Sequence, residues 1–191
     1  MIILKNDLSA IEKVCCSLLN GDVVIIPTDT VYGFSGLVPF SKEKIQKIKG
    51  RDENKPFIQL IANPNDIFKY TNDDIPKKIF SLWPAPLTII VNLKPELCNE
   101  KDFSTVAFRC PDDIWLRTII ERCGSPIYST SVNRSGLPIL TDIEKMEEEF
   151  GKEVSFIIND EEKGNIEKPS TIIDLSCGYC KVIRQGSVNI S

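Results

Sequence analysis

Polar side chains gather after two predicted strands of this sequence. The segment Pro27-Thr-Asp-Thr-Val-Tyr-Gly33 follows an apolar run, with Gly33 and Gly36 loosening the chain, and Tyr128-Ser-Thr-Ser-Val-Asn133 ends a second run. Because ligands of α/β proteins bind at the carboxyl ends of strands, these hydroxyls and amides are suited to hold a small polar ligand. The alternative for each segment is a turn whose side chains bond only to neighbouring backbone.

Cationic side chains form a second group. Lys49, Arg51 and Lys55 fall within seven residues, where a predicted helix ends and the next strand begins. Arginine and lysine supply the donors that clamp phosphate oxygens, although a lysine at a helix C-terminus followed by a solvated loop would look the same. Arg109 stands in a strand otherwise suited to burial, so it needs an anionic partner from the protein or a ligand. Arg184 stands at the end of the last predicted strand.

The sequence contains no histidine, which removes several mechanisms at once. A Ser-His-Asp or Cys-His relay, a histidine-containing zinc site and a histidine general base are excluded. Neither G-x-x-x-x-G-K-[ST] nor G-x-G-x-x-G occurs, and we interpret the acidic runs 147–149 and 160–162 as solvated surface. A cationic, hydroxyl-rich site without an acid–base residue suits a reaction that works by orientation and charge stabilisation, such as nucleotidyl transfer at a phosphate.

Length and charge limit the class of protein. The 191 residues predict one domain over 1–191, and 42% hydrophobic residues supply its core. Lys and Arg total 23 against 27 for Asp and Glu, which argues against a protein that coats nucleic acid but allows a local cationic groove. No apolar run reaches the roughly 18 residues that span a bilayer, and the first residues lack an export signal. We therefore expect a cytoplasmic protein that does not enter a membrane.

Seven cysteines without an export signal predict reduced core thiols rather than disulfides. The one closely spaced pair, Cys177-Gly-Tyr-Cys180, joins two strand-like runs, so we interpret it as a hairpin turn. A zinc site there would need two further ligands, which the sequence does not offer.

Apolar periodicity predicts an α/β order along the whole chain. Helices are predicted after Ser9 up to Asn20-Gly21 and at 41–49, 76–82, 112–123 and 142–150. Strands are predicted at 22–27, 57–61, 87–93, 105–109, 127–131, 154–158, 171–175 and 181–184. Two capping boxes, Ser9-Ala-Ile-Glu12 and Thr141-Asp-Ile-Glu144, are expected to open helices. Because 87–109 and 171–184 have the pattern strand–turn–strand, we expect a mixed parallel and antiparallel sheet with flanking helices.

Seven motifs in a fixed order identify a resemblance. They are Pro-Thr-Asp-Thr-Val-Tyr-Gly33, Lys49-Gly-Arg51, Trp83-Pro-Ala-Pro-Leu-Thr88, Val106-Ala-Phe-Arg109, Ser131-Val-Asn133, Pro169-Ser-Thr-Ile-Ile-Asp174 and Ile183-Arg-Gln-Gly186. Over residues 8 to 188 this set resembles the YrdC-like family of threonylcarbamoyl-AMP synthases, in its short form without an appended C-terminal domain. The K-x-R and S-x-N signature of that family is met by Lys49, Arg51, Ser131 and Asn133.

The resemblance implies a fold, a reaction and a set of roles. The fold would be a twisted mixed sheet with a cationic concave cavity, and the reaction would convert L-threonine, bicarbonate and ATP into threonylcarbamoyl-AMP and pyrophosphate with Mg²⁺. The residues implied for threonine are Thr30, Tyr32, Arg109, Ser129 and Ser170. Those implied for ATP are Lys49, Arg51, Lys55, Thr105, Ser131, Asn133 and Arg184, of which Lys49, Arg51, Ser131 and Asn133 would be catalytic. No residue is assigned to a metal.

The implied product would feed threonylcarbamoyladenosine formation in tRNA, so the expected partners are tRNA-threonylcarbamoyl transferase proteins, with weak RNA binding. Three alternatives share the fold. They are a YciO-like paralogue with weak synthase activity, a relative of carbamoyl-transferring domains, and a non-catalytic RNA-binding module. The net charge of −4 and the lack of interleaved aromatic and basic residues argue against the last of these.

Overall fold

The computed structural model describes residues 1–52, 56–98, 104–162 and 168–190. Within them the strands are β1 Ile2–Leu4, β2 Val24–Ile26, β3 Gly33–Leu37, β4 Ile58–Leu60, β5 Leu87–Asn92, β6 Thr105–Arg109, β7 Ile127–Ser131, β8 Ile157–Asn159, β9 Thr171–Asp174 and β10 Lys181–Arg184. The helices are α1 Ala10–Leu19, α2 Lys42–Lys49, α3 Lys77–Phe80, α4 Ile114–Cys123 and α5 Ile143–Phe150, with 3₁₀ turns at Pro64–Lys69 and Pro95–Leu97.

All of these strands belong to one sheet, in the order β1-β8-β2-β3-β7-β4-β6-β5-β9-β10. The sheet contains parallel pairs, such as β4 with β6 and β5 with β9, and antiparallel pairs, such as β5 with β6 and β9 with β10. The predicted mixed sheet is therefore confirmed, and so are the two predicted strand–turn–strand units.

Helices cover both faces of the first half of the sheet. Successive side chains of β2 point to opposite faces, and apolar side chains on both faces need a partner. Val24 and Ile26 join a buried cluster with residues of α1 and α4. Ile25, between them, joins a second cluster with residues of α2 and α5. A strand buried on both faces is apolar at every position, which explains why the run Val-Val-Ile-Ile was recognisable from the sequence.

The second half of the sheet is packed differently on its two faces. One face of β5, β6 and β9, including Ile89, Phe108 and Ile173, forms a third cluster with Ile79 of α3. The alternate residues point the other way, and three of them, Ile90, Ala107 and Ile172, line a cavity. The sheet therefore fixes the positions of the side chains that line this cavity.

Strand β3 is the main element that the sequence pattern missed. Gly33 and Gly36 suggested loose chain, but Gly33–Leu37 is an entirely buried strand between β2 and β7. A Cβ at Gly36 would lie 2.3 Å from Cβ of Ser41, so glycine is needed for close packing rather than for flexibility. The short edge strand β1 was also not predicted.

Both predicted capping boxes are wrong in detail. The hydroxyl of Ser9 donates to Asp7 Oδ1 at 2.6 Å and makes no capping bond. At the start of α5 the cap is Asp142, whose side chain accepts from the N–H of Lys145 at 3.1 Å, rather than Thr141. In the first case the Asp7 carboxylate accepts the hydrogen of the Ser9 hydroxyl, and in the second the Asp142 carboxylate accepts the capping N–H in place of a threonine hydroxyl.

The cysteines are all free thiols, but the expectation that they lie in the core holds only for Cys15, Cys110 and Cys123. Cys177 and Cys180 are exposed in the turn between β9 and β10, as the hairpin interpretation predicted. None of the helices in the described residues combines the length and apolarity needed to cross a membrane.

Candidate active site

A cavity of about 360 Å³ opens on the uncovered face of the sheet. Its wall consists of residues from strands between β3 and β10 and of loop residues, and none of the described wall residues belongs to a helix. Of the twelve residues predicted for the site, eight lie on this wall: Thr30, Tyr32, Arg51, Arg109, Ser129, Ser131, Ser170 and Arg184. Residues spread over more than 150 positions of sequence are therefore brought into a space of small-molecule size.

Arg109 ends β6 and is only 4% exposed. Its Nη1 donates to Thr30 Oγ1 at 3.0 Å, and its Nη2 lies 3.4 Å from Asp29 Oδ1. Burial lowers the pKa of Arg109, and the charge of Asp29 opposes that shift. The prediction that this arginine needs an anionic partner is confirmed. The partner is Asp29, whose carboxylate the sequence placed in a segment suited either to a ligand or to a turn.

The turn after β2 fixes the hydroxyl that Arg109 contacts. Thr28 Oγ1 donates to Val31 O at 2.8 Å and accepts from the N–H of Thr30 at 3.1 Å. The two threonine hydroxyls lie 2.9 Å apart. Because Thr28 has used its one hydrogen, Thr30 donates to Thr28 and is left to accept from Arg109. Thr28 bonds to local backbone, as the turn interpretation predicted, while Thr30 lies on the cavity wall. That this segment holds a ligand stays a prediction.

Ser170 and Arg184 form another part of the wall. Arg184 donates to Ser170 O from Nε at 3.0 Å and from Nη2 at 2.8 Å, and Nη2 lies 3.1 Å from Ser170 Oγ. Ser170 Oγ is also 2.8 Å from Thr88 Oγ1, and both hydroxyl side chains are buried. Thr88 occurs in a family motif but was not predicted as a site residue; its register opposite Arg109 on β6 puts it under the cavity.

Arg51 reaches the wall from the loop after α2. Its Nη2 donates to Pro56 O at 2.9 Å, and its guanidinium carbon lies 4.9 Å from the centre of the Phe57 ring. The neighbouring aromatic face fixes the plane of the guanidinium, as cation–π contacts do.

Lys49 and Asn133 lie behind Ser131 rather than on the wall. Lys49 is 2% exposed, and its Nζ contacts Ser131 O at 2.5 Å, Asn133 O at 3.0 Å and Asn133 Oδ1 at 2.9 Å. Ser131 Oγ donates to the same Asn133 Oδ1 at 2.7 Å. The K-x-R and S-x-N motifs therefore meet in space through a direct contact.

Tyr32 and Ser129 complete the described wall. The Tyr32 hydroxyl accepts from the N–H of Asp160 at 3.0 Å, and burial raises the pKa of Tyr32. Of the other predicted residues, Thr105 begins β6 on the same face as Arg109 but is not among the described wall residues, and Lys55 lies outside the described residues.

The wall is cationic in its charged side chains, since Arg51, Arg109 and Arg184 contribute to it and no carboxylate does among the described residues. Burial, together with the charge of Arg109, lowers the pKa of Arg184. Such a wall attracts anions. It does not fit a resident magnesium ion, which normally needs protein carboxylates. Asp29, which is not among the described wall residues, is already bonded to Arg109 and to the N–H of Asp112.

Comparison with known proteins decides the family. A family model described as Sua5/yciO/yrdC, telomere recombination, matches residues 16–186. The chain belongs to the Sua5/YciO/YrdC family. The resemblance inferred from the seven motifs is thereby confirmed.

Relatives in this family match nearly the whole chain. A protein of Methanocaldococcus jannaschii is 36% identical over 177 residues, covering 91% of this chain and 84% of that protein. A threonylcarbamoyl-AMP synthase of Photobacterium profundum is 31% identical over 186 residues, covering 92% of this chain and 98% of that enzyme.

Solved members of the Sua5/YciO/YrdC family share the fold. P. abyssi Sua5, described as complexed with L-threonine, has a TM-score of 0.81 and 28% identity, covering 92% of this chain and 54% of that chain. This chain thus spans about half of that solved protein. E. coli YciO has a TM-score of 0.81 at 22% identity, which supports the fold alone.

Proposed function

We propose that this chain is a threonylcarbamoyl-AMP synthase, a nucleotidyltransferase that converts L-threonine, bicarbonate and ATP into threonylcarbamoyl-AMP and pyrophosphate. The observation that carries the proposal is the cavity wall, where Arg51, Arg109 and Arg184 converge with serine and threonine hydroxyls. All three substrates are anions or carry a carboxylate, and this wall can compensate their charge. The names of the relatives agree with this activity.

Threonine would bind on the side of the cavity next to Asp29. The guanidinium of Arg109 is the partner for its carboxylate, because arginine and carboxylate share a planar geometry. The hydroxyls of Thr30, Ser129 and Ser170 would bond to the polar groups of the amino acid, and the ring of Tyr32 would close the pocket.

ATP would bind across Arg51, Ser131 and Arg184, whose donors suit phosphate oxygens. Asn133 supports this side through its bond with Ser131. Lys49, Thr105 and Lys55 belong to the proposed ATP set by family resemblance, with Lys49 and Thr105 away from the described wall.

The proposed chemistry needs orientation more than proton transfer. The threonine nitrogen bonds to the carbon of bicarbonate with loss of water, and an oxygen of the resulting carbamate attacks the α-phosphorus of ATP. The bond from that phosphorus to the bridging oxygen then breaks, and pyrophosphate leaves with the electron pair. The arginines stabilise the charge on the leaving group. Because the attacking carbamate is already anionic, no histidine is required.

The product would be passed to tRNA-threonylcarbamoyl transferase proteins, which would consume it in modifying tRNA. An activity that serves tRNA would operate in the cytoplasm. These partners and this location follow from the proposed reaction.

The test is pyrophosphate release by the purified chain with threonine, bicarbonate and magnesium ATP. We expect release only when all three substrates are present, and no release with an Arg109→Ala, Arg51→Ala double variant that still folds. Much weaker release would favour a YciO-like paralogue. A folded chain that binds ATP and releases no pyrophosphate would contradict the proposal.

A further inference from the structure

Lys49 is the last residue of α2, and its side chain is buried behind the cavity wall. An ammonium group has three N–H donors. Three acceptors lie within 3.0 Å of Nζ, and all come from one segment: Ser131 O, Asn133 O and Asn133 Oδ1. The donors are therefore satisfied by protein oxygens, and none is left for a ligand in this arrangement.

The backbone at the end of α2 is bonded to the same segment. Lys49 O accepts from the N–H of Ser135 at 2.8 Å, and Ile48 O accepts from Nη1 of Arg134. The last carbonyls of a helix have no intrahelical partner, so these contacts complete the helix end. The end of α2 and residues 131–135 consequently behave as one structural unit.

This unit determines how two wall residues are arranged. Ser131 lies on the wall, and its hydroxyl donates to the same Asn133 oxygen that accepts from Lys49. On the other side of Lys49 the chain turns at Gly50, whose φ of 58° is left-handed, and brings Arg51 back to the wall. Lys49 therefore connects Ser131 to the base of Arg51.

We propose that Lys49 is a positioning residue, which holds Ser131 and Asn133 beside Arg51 and does not itself contact the phosphates of ATP. The inference rests on the proposed function, because that function puts Ser131 and Arg51 on the ATP side. Without the ammonium, two carbonyls and an amide oxygen lose their donor in a buried place. The segment then leaves its position, and ATP affinity falls although no phosphate contact has been removed.

A double-mutant cycle separates this role from direct contact. Lys49→Met should weaken ATP binding about tenfold in the wild-type background and by a smaller factor in an Asn133→Ala background, because one of the three oxygens that Lys49 holds is already missing there. Threonine affinity should not change. Lys47→Met, at an exposed position of the same helix turn, is the matched control. An equal loss in both backgrounds that grows from AMP to ADP to ATP would show direct phosphate contact and overturn the proposal.

Amide hydrogen exchange without any ligand supplies a second readout. Exchange at 131–137 should be about tenfold faster in Lys49→Met and unchanged in Lys47→Met. Unchanged exchange in Lys49→Met would contradict the positioning role. If Lys49→Met does not fold, Lys49→Leu, which also has no donor, takes its place in both experiments. If the proposed function itself is wrong, the wild-type chain forms no threonylcarbamoyl-AMP. The exchange experiment needs no substrate, so its result is independent of that outcome.

Discussion

Arg109 and Asp29 form an ion pair that is almost fully removed from water. Arg109 Nη2 and Asp29 Oδ1 lie 3.4 Å apart, and the two side chains are 4% and 5% exposed. The other carboxylate oxygen accepts from the N–H of Asp112 at 3.1 Å. Asp29 thereby compensates a buried guanidinium while Thr30 fixes its orientation, and the cavity keeps a cation at a defined position.

Asp29→Asn should lower the free energy of unfolding by about 3 kcal/mol, because it leaves the buried guanidinium without a countercharge. Urea denaturation measures the change. Asp22→Asn is the matched control, since Asp22 pairs with Lys44 at an exposed site and should matter by less than about 1 kcal/mol. Equal changes in the free energy of unfolding for the two variants would show that the buried pair contributes no more to stability than the exposed one.

The two sub-sites should respond to different arginines. Arg109→Lys keeps the charge but loses the planar fork, so we expect threonine affinity to fall at least about tenfold with little change for ATP. Arg51→Ala should have the reverse effect. Titration calorimetry with each substrate alone measures both. Parallel losses for the two substrates in both variants would contradict the proposed division of the cavity.

Titration of Lys49 should make the free energy of unfolding rise with pH and ATP affinity fall with pH. Burial, reinforced by the charge of Arg51, lowers the pKa of Lys49 to about 8 from its ordinary 10.5. Between these values the unfolded chain binds more protons than the folded one, so the free energy of unfolding should rise with pH relative to Lys49→Met, by roughly 3 kcal/mol at most. ATP affinity should fall as the ammonium is lost above about pH 8.

Urea denaturation and ATP titration at pH 7 and pH 10 check both trends. The reference is Lys49→Met, which has no group to titrate at this position. If wild type and variant show the same pH dependence of both quantities, Lys49 does not titrate in this range.

Gly186 should be required for the Arg184 side of the cavity. A Cβ there would lie 2.3 Å from Pro169 O and 2.4 Å from the nitrogen of Thr171. Gly186→Ala should therefore push the chain after β10 away from Ser170 and reduce kcat/KM at least about tenfold. Gly178→Ala, in the turn between β9 and β10, is the control, because its φ of 80° costs about 1 kcal/mol of stability but nothing lies near the added carbon. A catalytic loss in the control as large as that in Gly186→Ala would refute the local explanation.

Much of the fold was predictable because its strands are long enough to show a pattern. The bounds of β6, β7 and β10 were predicted to the residue. Strand β3 was missed because Gly33 and Gly36 resemble chain breakers, whereas the close approach of Ser41 and Ser129 requires them. Such long-range contacts leave no periodic signal in the local sequence.

The site was predictable as a set of residues but not as a set of contacts. Eight predicted side chains meet at one cavity. That Asp29 pairs with Arg109, that Thr88 lies against Ser170, and that Lys49 points at main-chain oxygens depends on strand register and on burial. Motif order identifies the participants, and only tertiary packing shows which of them face the ligand.

The synthesis of threonylcarbamoyl-AMP by this chain is tested most directly by following the carbon of bicarbonate into the product. The chain is incubated with threonine, magnesium ATP and ¹³C-bicarbonate, and the nucleotide products are analysed by mass spectrometry. We expect threonylcarbamoyl-AMP carrying one ¹³C, formed together with pyrophosphate and absent when threonine is left out. Formation of AMP and pyrophosphate without a ¹³C-labelled threonine adduct would contradict the account.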